Sequence, residues 1–91
     1  MKVARKFLIS GGVQGVGYRF FAQRAAARHQ VFGYVRNLPD GRVEAWAEGT
    51  PANVEAFKND LATGPVLASV EKLEELNIEQ LDSYSSFRIE R

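Results

Sequence analysis

The stretch from Ser10 to Arg19 carries residues whose types and spacing could bind an anion. It holds four glycines and ends on an arginine, between an apolar segment and a run with helical spacing. Glycines let a loop turn its backbone N–H groups toward a ligand, and a helix N-terminus adds positive potential behind them. The guanidinium of Arg19 matches two oxygens of a phosphoryl group. The stretch therefore predicts a phosphate-binding loop, with a glycine-rich connector and a surface arginine as the open alternative.

Two nucleotide-binding motifs do not fit this loop. Gly12 and Gly17 have the spacing of the two glycines in a P-loop, but Tyr18 and Arg19 stand where that motif needs Lys and Ser or Thr. The dinucleotide pattern G-x-G-x-x-G cannot be drawn through these positions either. The loop therefore matches neither of these two nucleotide-binding motifs.

The elements that must position this loop alternate between strand and helix patterns. Strand patterns cover residues 3–10, 31–37, 43–48, 68–79 and 87–90, and the fourth should be kinked or bulged near Leu73. Helix patterns cover residues 18–29 and a segment that starts at Thr50 as N-cap and ends at Gly64. The order β-α-β-β-α-β, with a short last strand, predicts an α+β ferredoxin-like sandwich. Two helices would cover one face of an antiparallel sheet.

This topology brings a second polar residue toward the loop. The right-handed crossover rule makes the first two strands parallel, with the third strand between them. The glycine loop, Arg19 and Asn37 should therefore converge at one end of the sheet, about 10 Å apart at two strand spacings. Such a gap could hold a phosphoryl group. The alternative for Asn37 is a structural role, capping the turn at Pro39.

Length and composition narrow the class of protein. The chain has 91 residues, no cysteine, one histidine and a net charge of +1. We expect a single domain over residues 1–91, without disulfides, a zinc site or a membrane span, acting as a monomer in the cytoplasm. The weak charge disfavours a non-specific nucleic-acid binder. A binding module for RNA remains an alternative, because Phe32, Tyr34 and Trp46 lie on predicted strands.

Two segments of the chain resemble the signatures of the acylphosphatase family. The first is GGVQGVGYR, which ends at Arg19, and the second is GYVRN, which ends at Asn37. Gly41, Val43 and Gly49 follow the second segment at the spacing of the family. The resemblance covers nearly the whole chain.

The resemblance implies an enzyme that hydrolyses the carboxyl–phosphate bond of small acyl phosphates, giving a carboxylate and inorganic phosphate, without a cofactor or metal. At the matching positions, Arg19 is implied to bind the phosphate and Asn37 to orient the attacking water. The phosphate cradle is implied to use the backbone N–H groups of Gly15, Val16, Gly17, Tyr18 and Arg19. A non-catalytic module of the same fold, which binds phosphate or RNA, is the alternative.

Overall fold

Five strands and two helices follow one another in the computed structural model, which describes residues 1–91. The elements are β1 (Val3–Gly12), α1 (Tyr18–His29), β2 (Phe32–Asn37), β3 (Val43–Gly49), α2 (Pro51–Thr63), β4 (Ser69–Ile78) and β5 (Phe87–Glu90). The predicted order of elements is confirmed. Neither helix has the length and apolar composition needed to cross a bilayer.

The strands form one sheet in the order β4-β1-β3-β2-β5. As the crossover rule predicts, β3 lies between β1 and β2. The predicted antiparallel pairing is confirmed for β1 to β4. The short last strand differs, because β5 pairs parallel to β2, with Phe87 opposite Gly33. The complete sheet is therefore mixed.

The core lies between the sheet and the two helices. Every second residue of β3 faces the helices and is fully buried, namely Val43, Ala45 and Ala47. Phe57 and Leu61 of α2 belong to the same core cluster. On α1 the buried positions are Tyr18 and three alanines, which let the helix approach the sheet closely. The core thus fixes α1 against β2 and β5, and with it the loop that leads into α1.

The ends of the two helices are joined by a polar contact. His29, which the helical pattern places on the buried face of α1, is half-buried, and its Nε2 lies 2.9 Å from Oδ2 of Asp60 on α2. Arg28 reaches the same carboxylate oxygen at 3.0 Å. His29 is therefore a packed residue at a helix C-terminus.

A bulge shapes the strand that leads into the loop. Ser10 on β1 lies opposite Lys72, but Gly11 lies opposite Val70, so Glu71 has no partner across the ladder. Gly11 has φ 123, and a Cβ there would lie 2.1 Å from the carbonyl oxygen of Ser69. The bulge predicted near Leu73 is therefore present, two residues earlier in the chain.

The sheet face that carries no helix buries two carboxylates. Glu44 contacts Nε of Arg36 at 2.5 Å and Nζ of Lys6 at 3.3 Å, and it accepts a hydrogen bond from the hydroxyl of Tyr34 at 3.2 Å. Burial alone would raise the pKa of Glu44, but Arg36 and Lys6 outweigh it and hold that pKa below its usual value. Burial and the neighbouring carboxylate raise the pKa of Tyr34 to about 12.

The second carboxylate fastens the connection between β4 and β5 to this face. Glu48 accepts hydrogen bonds from the indole of Trp46 at 2.9 Å and from the backbone N–H groups of Asp82 at 2.6 Å and Tyr84 at 3.0 Å. The ring of Tyr84 packs on Trp46 and Tyr34. The connection therefore crosses over the sheet and delivers β5 to the edge beside β2.

Candidate active site

The loop between β1 and α1 spans residues 13–17 and is shaped by two glycines. Gly15 has φ 75 and Gly17, the N-cap of α1, has φ 77. Nothing lies within 4 Å of the position that a Cβ would take at either residue. Glycine is therefore required here by the backbone conformation and not by lack of space.

The backbone N–H groups around the start of α1 have no acceptor in the protein. Those of residues 14–17 belong to no strand or helix and donate no hydrogen bond, and the first bond of the helix runs from Phe21 to the carbonyl of Gly17. The amides of residues 18–20 form the first helical turn, which has no acceptor within the helix. This row of free donors at a helix N-terminus is a favourable environment for an anion.

Tyr18 fixes the start of α1 through its side chain. The ring is 1% exposed, and its hydroxyl donates a 2.7 Å hydrogen bond to the carbonyl of Leu61 on α2. Burial raises the pKa of this hydroxyl well above its ordinary value. The side chain of Tyr18 is therefore part of the core, and only its backbone remains available to the loop.

Arg19 extends from the first turn of α1 toward β5. Its Nη1 donates a 3.1 Å hydrogen bond to the carbonyl of Glu90, and no carboxylate lies within ion-pair distance of the guanidinium. A neutral carbonyl orients the side chain without cancelling its charge. The guanidinium therefore keeps donors and a full positive charge for a ligand.

Asn37 is the last residue of β2, and it lies on the same face of the strand as the buried residues Gly33 and Val35. The turn that follows closes through a hydrogen bond from the N–H of Leu38 to the carbonyl of Arg42 at 2.8 Å. The side chain of Asn37 takes no part in the hydrogen bonds of this turn. The structure therefore does not bear out the capping alternative.

Arg19, Asn37 and the loop open onto a common hollow. A cavity of about 210 Å³ is lined by Arg19, Phe20 and Asn37 together with Val13, Gly15, Gly17 and Tyr18. A second cavity, of about 480 Å³, shares Arg19, Phe20 and Asn37 and is also lined by Ile89 and Arg91. Val16 lines neither cavity, and its side chain packs against the core. The convergence predicted from the topology is thus present.

Gln14 is a residue of the site that sequence reasoning missed. Its Nε2 donates to the carbonyls of Leu38 and Arg42, each at 2.9 Å, and so ties the loop to the turn after Asn37. The only signal in the sequence is a polar side chain among glycines. No group of three or more His, Cys, Asp or Glu side chains is arranged to hold a metal ion.

The fold is a ferredoxin-like sandwich in which a glycine loop, an arginine and a carboxamide share one hollow. The family model described as Acylphosphatase matches residues 5–89. The chain is 48% identical over 86 residues to the acylphosphatase of Solibacter usitatus, covering 94% of this chain and 88% of that protein. The chain therefore belongs to the acylphosphatase family.

Solved structures of the same family share the fold over nearly the full length. The crystal structure of the acylphosphatase from Bacillus subtilis superposes with a TM-score of 0.95 at 30% identity, covering 98% of this chain and 99% of that one. The acylphosphatase of Coxiella burnetii gives a TM-score of 0.92 at 31% identity, with 98% and 93% covered. The protein is an acylphosphatase enzyme, with an acyl phosphate as substrate and inorganic phosphate as product.

Proposed function

We propose that this acylphosphatase binds the phosphoryl group of its substrate with Arg19 and the backbone amides of residues 15–19, and that Asn37 orients the attacking water. The observation that carries the proposal is the shared hollow, in which an unpaired guanidinium and a free carboxamide flank a row of amides without acceptors. Phosphoryl transfer depends mainly on positioning and on stabilising charge at the equatorial oxygens. These groups supply both.

The proposed reaction needs no proton acceptor from the protein. The carboxamide of Asn37 accepts a hydrogen bond from water and donates one to a phosphate oxygen, but it is too weakly basic to serve as a general base. The water oxygen forms a bond to phosphorus while the bond from phosphorus to the acyl oxygen breaks. The proton of the water moves to the phosphate group of the substrate. The products are a carboxylate and inorganic phosphate.

The same sparse site limits the substrates to activated anhydrides. An acyl phosphate leaves as a carboxylate, whose conjugate acid has a pKa of about 4, so no general acid is needed to expel it. An alkyl phosphate would have to leave as a strongly basic alkoxide. We therefore propose mixed anhydrides of phosphoric acid with carboxylic or carbamic acids as substrates, and a reaction that proceeds without a metal ion.

We further propose that residues 1–91 act as one domain, as a monomer in the cytoplasm and without a nucleic-acid partner. The RNA-binding alternative relied on the sheet aromatics. Tyr34 and Trp46 stack on each other with centroids 6.3 Å apart and pack on Tyr84, which supports an ordinary packing role. The basic side chains beside them, Lys6 and Arg36, are paired with Glu44.

The test is hydrolysis of acetyl phosphate in the presence of a chelator. Replacing Arg19→Ala should lower kcat/KM by about a hundredfold or more, because a donor to the developing charge is lost. Arg24→Ala is the matched control, since Arg24 is an exposed arginine on the same helix. Loss of wild-type activity on chelation would contradict the metal-free reaction.

The role of Asn37 is tested by the split between kinetic constants. Asn37→Ala should lower kcat by about tenfold to a hundredfold with a smaller change in KM, because water loses its orientation while the phosphate cradle remains. Circular dichroism verifies that each variant is folded. A wild-type kcat for Asn37→Ala would remove this residue from the mechanism.

A further inference from the structure

Phe20 stands out because a large apolar side chain is 68% exposed beside the site. It follows Arg19 directly in the first turn of α1, and it lines both cavities that Arg19 and Asn37 line. A single exposed apolar residue is ordinary on a protein surface. Phe20 is different, because it lines both cavities and a ligand that occupies both would contact it.

The two cavities differ in what their walls can bind. The smaller one, about 210 Å³, is bounded by the glycine loop with its free amides, so it suits the phosphoryl group. The larger one, about 480 Å³, has no loop residue in its wall. Its lining is Phe20 and Ile89 next to the polar residues Arg19, Asn37 and Arg91. Only the smaller cavity contains the loop, and only the larger one contains Ile89, so a phosphoryl group and an apolar group can be bound in separate places.

We propose that the larger cavity is the subsite for the acyl group, and that Phe20 makes the enzyme favour acyl phosphates with an aromatic or bulky apolar acyl group. This inference rests on the function proposed above. A cavity of about 480 Å³ lies in the size range of small-molecule pockets and far exceeds what the methyl group of acetyl phosphate fills.

Aromatic chemistry explains why Phe20 would discriminate among acyl groups. An aryl ring that enters the cavity can pack edge-to-face or offset on the ring of Phe20 and displace water from it, and a methyl group covers much less of that surface. Arg91 contributes differently, because its charge attracts the phosphoryl group of every substrate and does not distinguish acyl groups. Phe20 is therefore a specificity residue, since it contacts the part of the substrate that varies.

The test compares kcat/KM for benzoyl phosphate with kcat/KM for acetyl phosphate in each variant. Comparing this ratio between a variant and the wild type cancels the different intrinsic reactivities of the two anhydrides. Phe20→Ala should lower the ratio of benzoyl to acetyl about fivefold to tenfold, mainly through a higher KM for benzoyl phosphate. Phe20→Tyr keeps the ring and should keep the ratio within about twofold of the wild type.

Leu81→Ala is the control variant, because Leu81 is another exposed apolar side chain, 41% exposed, in the connection between β4 and β5. It should leave the ratio unchanged. An unchanged ratio in Phe20→Ala, or an equal loss in Leu81→Ala, would overturn the acyl subsite.

Arg19→Ala separates a failure of this inference from a failure of the proposed function. If Arg19→Ala loses activity on both substrates and Phe20→Ala leaves the benzoyl-to-acetyl ratio of kcat/KM unchanged, only the acyl subsite is wrong. If Arg19→Ala hydrolyses both substrates at the wild-type rate, the proposed phosphate site is wrong, and the acyl subsite fails with it.

Discussion

Arg19 and Arg36 lie on opposite faces of the sheet and have opposite electrostatic environments. On the sheet face that carries no helix, Nε of Arg36 lies 2.5 Å from a carboxylate oxygen of Glu44, a residue that is 4% exposed. On the helix face, Arg19 donates to the neutral backbone carbonyl of Glu90 at 3.1 Å. One guanidinium is neutralised in place, and the other is oriented with its charge intact. The first stabilises the sheet, and the second is available for an anionic ligand.

The remaining arginines extend this comparison. Arg5, Arg28, Arg42 and Arg88 each have a carboxylate within ion-pair distance. Of the arginines without such a partner, Arg19 and Arg91 line the hollow, and Arg24 is exposed on α1. Two of the three arginines without a carboxylate partner therefore line the hollow in which we propose that the phosphoryl group binds, although the net charge of the chain is only +1.

The largest expected effect comes from Arg19→Lys, and Arg36→Lys is its matched control. Arg19→Lys should lower kcat/KM for acetyl phosphate by about a hundredfold, because an ammonium keeps the charge but loses the two-pronged geometry. Arg36→Lys should leave kcat/KM within about twofold, because Arg36 makes its contacts on the other face. Steady-state kinetics at matched protein concentrations measure both values. Equal losses in the two variants would break the comparison.

Gln14→Ala tests whether activity depends on the hydrogen bonds that connect the glycine loop to the turn between β2 and β3. The variant loses two hydrogen bonds, from Nε2 to Leu38 and to Arg42. We expect kcat/KM to fall about tenfold, since the loop and Asn37 are no longer held at a fixed separation. The free energy of unfolding should fall by only about 1 kcal/mol. Kinetics and urea denaturation measure the two effects, and a large loss of stability without loss of activity would contradict this role.

Glu44→Gln tests whether the charge of Glu44, on the sheet face that carries no helix, stabilises the fold. The test is the pH dependence of the free energy of unfolding. The pKa of Glu44 is lowered in the folded protein, so its contribution to stability is present above the ordinary carboxyl pKa of about 4.3 and is lost as the pH falls through the lower folded value. At pH 7 the variant should lose about 1 to 2 kcal/mol of unfolding free energy.

The difference between wild type and variant should begin to shrink below about pH 4, where Glu44 of the unfolded chain takes up a proton, and it should disappear once the pH is below the lowered folded pKa. Fluorescence of Trp46, the only tryptophan, follows urea unfolding at each pH. Activity at pH 7 should be retained. A difference in stability that stays constant from pH 7 to pH 3 would show that the charge of Glu44 has no role.

The parts of the site that the sequence predicts depend on local pattern and topology. Glycines before a helical run indicated the loop, and the crossover rule was enough to bring Asn37 to the same end of the sheet as Arg19. The first inference needs only the local pattern, and the second needs only the order of elements. The family signatures then gave these two residues their expected roles.

The parts that the sequence does not predict are long-range. Gln14 bonds to a carbonyl 28 residues away, and no local pattern indicates that contact. Glu44 and Glu48 alternate as a solvent-facing row would, yet they are buried because Arg36 and the connection between β4 and β5 cover them. The edge of the sheet at which β5 pairs is likewise determined by that connection. A strand of four residues has too little pattern for the sequence to predict where it pairs.

The most direct test of the central claim is the binding of inorganic phosphate to the free enzyme. The affinity of phosphate for the wild type and for Arg36→Ala is measured from its inhibition of acetyl phosphate hydrolysis. For Arg19→Ala, which is expected to have little activity, the affinity of phosphate is measured by calorimetric titration. We predict that phosphate inhibits competitively, that Arg36→Ala keeps the wild-type affinity, and that Arg19→Ala binds at least about tenfold more weakly. Equal phosphate affinity in the wild type and in Arg19→Ala would contradict the account.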